Sequence, residues 1–207
     1  MSQLESTVKP VFSIRGVTFT PRTLAGVCFF ALAAQFLTVI MLAATMVPGY
    51  DFRAAAISDL GVLPETALLF NVSLVLVGVL NLLGGYFFYH MHGKHWLLGI
   101  FAVAGGAIGA GLFPLDTSGL HGLAALLAFV FFNVQAIGSA SRLGGIIRVL
   151  AVLVGGLGLV LVVLMTLGDG GNTAAFGPID HGGTERMIVY PVMFWLVAFG
   201  GYLLGES

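Results

Sequence analysis

The chain has 207 residues, 58% of them hydrophobic and 8% charged, against about 25% charged in soluble domains, so an ordinary water-soluble domain is excluded and a membrane-embedded one is indicated. The formal net charge of −1, from eight Lys plus Arg and nine Asp plus Glu, excludes a basic nucleic-acid-binding surface and an acidic disordered segment. The single cysteine, Cys28, has no second thiol to pair with, and the 30 glycines, about twice the usual share of roughly 7%, point to close helix packing in lipid.

In chain order, residues 1–23 are polar, carry Lys9, Arg15 and Arg22, and lack the pattern of a cleaved signal peptide. They are predicted to be a cytoplasmic N-terminal segment, with the first span retained as an anchor. Crossing a bilayer takes about 20 apolar residues. Cutting the chain at its charges predicts six such spans, 24–47, 67–89, 96–115, 119–141, 149–168 and 187–205, in one transmembrane domain over 24–205. The fold expected is an all-α six-helix bundle in the membrane. The third span, broken up by glycines and ending at Phe113-Pro114, is the weakest element.

Cytoplasmic loops collect Lys and Arg. With the N-terminus inside, Lys9, Arg15, Arg22, Lys94, Arg142 and Arg148 fall inside and only Arg53 and Arg186 outside. Asp51, Asp59, Glu65, Asp116, Asp169, Asp180 and Glu185 fall outside, leaving Glu5 and Glu206 inside. This predicts a multi-pass protein of the cell membrane with both termini cytoplasmic. Gly105 with Gly109, and Gly201 with Gly205, have the small-xxx-small spacing of packed helices. Within the spans the polar residues are the uncharged Gln35, Asn71, Asn81, Asn133 and Gln135. A proton relay or voltage sensor needs ionisable groups at that depth, so these amides are expected to join helices instead.

Spans two, four and six run inward, so their N-termini and positive dipole ends meet at the outer face. Ile57-Ser58-Asp59-Leu60-Gly61 and Pro64-Glu65 precede span two, with proline suited to a first helical turn. Pro114, Asp116 and Ser118 precede span four, with Ser118 as a cap and His121 just inside it, and Asp180, His181, Thr184, Glu185 and Arg186 precede span six, with Thr184 as the cap. Helix capping with dipole compensation is one account of Glu65 and Glu185, a functional contact the other. Asp59 and His121 admit three readings: a structural hydrogen-bonded network, a catalytic or lipid-headgroup site, or a metal site drawing on Asp116, His121 and His181, whose spacing is not diagnostic. His90, His92 and His95 beside Lys94 and Trp96 read as a membrane interface rather than a metal cluster. Ser58, Asp59 and His121 contain the components of a nucleophile with acid and base, although no nucleophile elbow frames the serine.

The Ile57–Gly61 motif, Pro64-Glu65, Phe70-Asn71, the stretch from Asp116 to His121, and Gly183-Thr184-Glu185-Arg186 together resemble the prokaryotic membrane family called domain of unknown function 998, common in archaea. That family is in turn similar to the eukaryotic six-span group of damage-regulated autophagy modulators, Sfk proteins and the Golgi factor that remodels glycosylphosphatidylinositol lipids, which carry an Ile-Ser-Asp-Thr-Gly then Pro-Glu pattern. The resemblance covers most of residues 24–204. Leu60 replaces the threonine, so a role for that hydroxyl does not carry over. The resemblance implies six spans and a pull toward lipid biology, with no catalytic set to transfer.

The leading expectation is thus a lipid-associated or scaffold bundle, an accessory subunit or homo-oligomer without catalysis, whose outer polar network includes Glu185, Arg186 and Asn71 as lipid or anion contacts. The alternative is an enzyme of lipid headgroup or acyl remodelling, with Asp59 and His121 as acid and base, Ser58 or a metal-bound water as nucleophile and Arg186 holding phosphate. Membrane lipids are the expected partners; no cofactor is predicted, a metal ion being the one candidate. A third class, transport of a small neutral solute, requires a polar path joining Asn71, Asn81 and Asn133.

Overall fold

A computed structural model describes residues 11–14, 17–117 and 119–205. Glu5, Lys9, Arg15 and Glu206, which enter the orientation argument, and the expected cap Ser118 lie outside the described residues. A small antiparallel hairpin, β1 (Phe12–Ile14) and β2 (Val17–Phe19), precedes the helices and stacks Phe12 on Phe19. The polar reading of 1–23 did not anticipate it.

Helix α1 (Pro21–Met46) opens with Thr20, whose Oγ1 accepts from the Thr23 amide at 3.1 Å, and Pro21 takes the first helical position, where no N–H is needed. Helix α2 is Ala67–His92, α3 His95–Ala104, α4 Ala107–Leu112, α5 Leu120–Ser139, α6 Gly145–Asp169 and α7 Asp180–Gly205. Six helical segments are long and apolar enough to cross a membrane, with α3 and α4 together making the third. The glycine-broken third span is confirmed: a turn at Gly105-Gly106 separates α3 from α4, and the helix stops at Leu112. The described helices are therefore those of an all-α six-helix membrane bundle.

Two helix starts differ from expectation. Pro64 and Glu65 lie in the turn before α2, not in its first turn. Thr184 is not a cap but sits one turn inside α7, its hydroxyl donating to the Asp180 carbonyl at 2.8 Å. Polar residues can continue a helix wherever their side chains find partners, so the first turns of α7 are helical although the apolar run begins only at 187.

The helices form a ring in which α1 packs on α2 and α7, α2 on α3 and α4, these on α5, α5 on α6, and α6 on α7. Around one end lie Arg22, Lys94, Arg142 and Arg148; around the other lie Arg53, Arg186 and seven of the acids, Asp51, Asp59, Glu65, Asp116, Asp169, Asp180 and Glu185. We call these the Lys94 end and the Ser58 end. In the half toward the Lys94 end the middle of the ring is filled by Phe29, Phe88, Phe101, Phe199 and Trp195, with neighbouring ring centroids 4.8–5.8 Å apart.

Glycines set a close contact between α1 and α7, though not the ones expected. At Gly201 and Gly205 an added Cβ would meet nothing within 4 Å. One residue earlier, Gly200 faces Gly26 of α1, and a Cβ there would lie 2.6 Å from the Phe30 amide nitrogen and 2.7 Å from the Gly26 carbonyl oxygen. Spacing alone leaves helix rotation open, and the packed face is the neighbouring one. Gly109 does pack as expected, against Ala124 of α5. The amides join helices at two places: Ser73 Oγ donates to Gln35 Oε1 at 2.8 Å across α1 and α2, and Asn81 Nδ2 to the Phe101 carbonyl at 3.0 Å across α2 and α3. Asn133 bonds its own helix at Phe129 O, and Asn71 bonds the Gly61 carbonyl in the loop before α2. The three asparagines thus have different hydrogen-bond partners.

Candidate functional site

The loop between α1 and α2 folds back onto the Ser58 end of the bundle instead of standing off it. Residues 182–186 at the start of α7 hold it, with the Gly183 amide donating to Arg53 O at 3.1 Å. Arg186 Nη1 donates to the Ala55 carbonyl at 2.7 Å and to Gly182 O at 2.8 Å, and Nη2 donates to the Tyr50 hydroxyl at 2.9 Å. The guanidinium also lies over the Phe52 and Tyr50 rings, 4.9 and 5.5 Å from their centroids. Glu185, 3% exposed, accepts the Ile57 amide on Oε2. Gly182 lets the loop close, since a Cβ there would lie 2.1 Å from Ala55 O.

Tyr50 completes this clamp by donating to the Ala56 carbonyl at 2.5 Å. Burial pushes its phenol up to about 12, opposed by Arg186, so the donor proton is retained throughout the neutral range. A 3₁₀ turn at Ser58–Gly61 follows, with Asp59 Oδ2 accepting the Ala56 amide at 2.9 Å. Thr66 Oγ1 donates to Leu60 O and Asn71 Nδ2 to Gly61 O, so buried carbonyls of the turn find donors in the start of α2. The Ser58-Asp59 motif is thereby fixed at the top of the ring.

Beneath it lies a two-part cavity. The upper part, about 400 Å³ and open to the surface, is lined by Ser58, Asp59, His121, Asp169, His181 and Glu185 together with apolar side chains of α5 and α6. The lower part, about 60 Å³, is almost wholly apolar, with Phe36, Phe70, Val77, Phe132, Val192 and Met193 among its walls. Ser58, His121, Ala125, Phe129 and Glu185 belong to both parts and mark their junction. The aromatic cluster lies below, toward the Lys94 end.

His121, 4% exposed, is held by Nδ1, which lies 2.9 Å from Phe113 O and 3.2 Å from Ala110 O. Both partners are acceptors, so Nδ1 carries the hydrogen and, in the neutral imidazole, Nε2 is a bare acceptor in the cavity wall. At the rim, His181 Nε2 lies 3.2 Å from Asp169 Oδ1, joining the start of α7 to the end of α6. Asp180, just before it, takes φ +61°, a strained conformation for a residue with a Cβ.

Of the residues singled out from sequence, Ser58, Asp59, His121, His181 and Glu185 come together around this cavity. Arg186 and Asn71 do not line it; their side chains hold the loop. Asp116 is exposed and also lies off the cavity. Among the described residues no group of three His, Cys, Asp or Glu side chains is close enough together to hold a metal ion. At the Lys94 end, His90 and His92 pack edge-on against Tyr86 and Phe88, and His95 Nε2 is 3.5 Å from the Tyr89 hydroxyl, as in an aromatic membrane interface.

Sequence reasoning missed Tyr50, Gly182 and the cavity role of Asp169. A tyrosine amid Gly49, Asp51 and Phe52 gave no hint of its use, and a single glycine in a Gly-rich chain does not announce a backbone contact.

A family model described as a protein of unknown function (DUF998) matches residues 22–202. No curated protein and no solved structure matches the chain.

Proposed function

This chain belongs to the DUF998 family, and we propose that it is a lipid-associated membrane protein that takes one acyl chain into its ring of helices and holds the headgroup beneath the Ser58-Asp59 turn. The observation that carries this reading is the two-part cavity. An apolar compartment adjoining a mouth that bears carboxylates and imidazoles, with five lining residues common to both, has the amphipathic layout of a lipid. The aromatic cluster toward the Lys94 end favours a binding site over a passage.

The test is native mass spectrometry of protein extracted in mild detergent. Wild type is expected to retain a lipid, and Ala125→Phe, which places a ring at the junction of the two compartments, is expected to lose it while still melting cooperatively. Lipid retention by that variant would overturn the assignment.

The reading includes an orientation, with the Ser58 end outside the cell membrane and the termini in the cytoplasm, as the distribution of Lys and Arg implies. In a Cys28→Ala background, cysteine at the exposed positions 65 and 94 discriminates. Glu65→Cys should react with a membrane-impermeant maleimide on intact cells and Lys94→Cys only after lysis; the reverse pattern would invert the topology.

The fixed tautomer of His121 favours one second reading, catalysis of lipid remodelling. Its Nε2 lines the same junction as the Ser58 hydroxyl, the layout of a general base beside a nucleophile. Turnover of a bound lipid that is lost in both Ser58→Ala and His121→Gln would select this reading.

A further inference from the structure

We infer that the headgroup this cavity accepts is a cationic amine and not an anionic phosphate or carboxylate, an inference that rests on the lipid reading above. The lining of the open compartment supplies Asp59, Asp169 and Glu185 and includes no Lys or Arg among the described residues. The arginine adjacent to it in sequence, Arg186, is turned away into the loop clamp, where its two terminal nitrogens are taken up by Ala55, Gly182 and Tyr50. An anion in the mouth would therefore face carboxylates with no Lys or Arg on the described wall, where the rim imidazole of His181 is already paired with Asp169.

Beside the donors Ser58 and His181, the latter set against Asp169, the same wall offers acceptors that no donor meets. Asp59 and Glu185 each commit one oxygen to a backbone amide, Ala56 N and Ile57 N, and the second oxygen of each has no hydrogen-bond partner among the described residues. His121 donates through Nδ1 to backbone carbonyls and so presents Nε2 as a third acceptor at the junction. Glu185 and His121 are both more than nine-tenths buried. A buried carboxylate without a full set of donors is costly, and an ammonium group, with up to three N–H donors and a positive charge, supplies what this set lacks.

The experiment compares three ligands of equal chain length, hexadecylamine, hexadecanol and palmitate, as competitors of a diazirine-bearing hexadecanol photoprobe on detergent-solubilised full-length protein at neutral pH. Hexadecylamine is expected to compete at a concentration about tenfold or more below palmitate, the scale of one charge-assisted hydrogen bond. The preference should shrink in Asp59→Asn and in Glu185→Gln, each judged only if its melting temperature stays near wild type, and Asp169→Asn at the rim serves if either fails to fold. Palmitate competing as well as the amine would overturn the headgroup assignment while leaving the lipid site standing. An amine preference unchanged in all folded variants would overturn the assignment to these carboxylates. Absence of photoprobe labelling that is sensitive to Ala125→Phe would overturn the lipid reading itself.

Discussion

Arg186→Ala is expected to destabilise the protein by about 3–5 kcal/mol, the range for removing one member of a buried charged network. The guanidinium is 7% exposed and makes three hydrogen bonds, two of them to backbone carbonyls of Ala55 and Gly182. Bonds from charged donors contribute about 1.5–3 kcal/mol each, and truncation takes the side-chain donor from the half-buried Ala55 carbonyl and from the Tyr50 hydroxyl, while Gly182 O keeps its bond within the helix. Thermal unfolding in detergent measures the loss. Arg186→Lys should recover only part of it, because an ammonium cannot span Ala55 O and the Tyr50 hydroxyl with the fixed fork of a guanidinium. Tyr50→Phe, which removes a single member of the clamp, should cost about 1–3 kcal/mol. If Arg186 instead contacted a phosphate, Arg186→Ala would leave the melting temperature unchanged and abolish only ligand binding, so a stable Arg186→Ala protein would sink the clamp.

The second large effect is expected at Gly182. Replacement by alanine places a Cβ 2.1 Å from the Ala55 carbonyl oxygen and 2.9 Å from Arg186 Nη1. The first of these is backbone, so relief requires the loop to move as a whole, loosening both the Arg186–Ala55 bond and the 3.1 Å bond from the Gly183 amide to Arg53 O. Overpacking of this kind costs about 1–3 kcal/mol, and with a weakened clamp the total should reach about 2–4 kcal/mol. Gly201→Ala is the internal control: its Cβ would meet nothing within 4 Å, and alanine in a helix interior is favoured by roughly 0.8–1 kcal/mol over glycine. Equal melting temperatures for the two variants would show that the loop does not rest on Gly182.

Both predictions concern residues whose importance is unequally legible in the sequence. Arg186 stands out because it is one of only eight basic residues, yet its expected role as a phosphate contact does not fit a side chain turned into the loop. Gly182 is one of 30 glycines, and only the 2.1 Å approach separates it from Gly201. Ser58, Asp59 and His121 are identifiable because polar residues are rare in this chain, and the span count places all three at one end of the bundle, while their convergence on a cavity depends on the loop that folds back. Asp169 was legible as an acid at the Ser58 end but not as part of the cavity, because its position depends on how far α6 extends.

The number of spans, the all-helical class, the broken third span and the segregation of acids from bases follow from the sequence alone. Hydropathy and charge act on each segment independently: a helix of about 20 apolar residues satisfies its own backbone in lipid whatever its neighbours do. The tertiary structure decided which way each helix is rotated and how the first loop folds back, and with that which few polar residues share a cavity. Those depend on contacts between segments far apart in the chain, such as Gly26 with Gly200 and Ala55 with Arg186. A one-residue change of register on a helix turns a side chain by about 100°, too fine a difference for apolar periodicity to encode in helices that are hydrophobic on nearly every side.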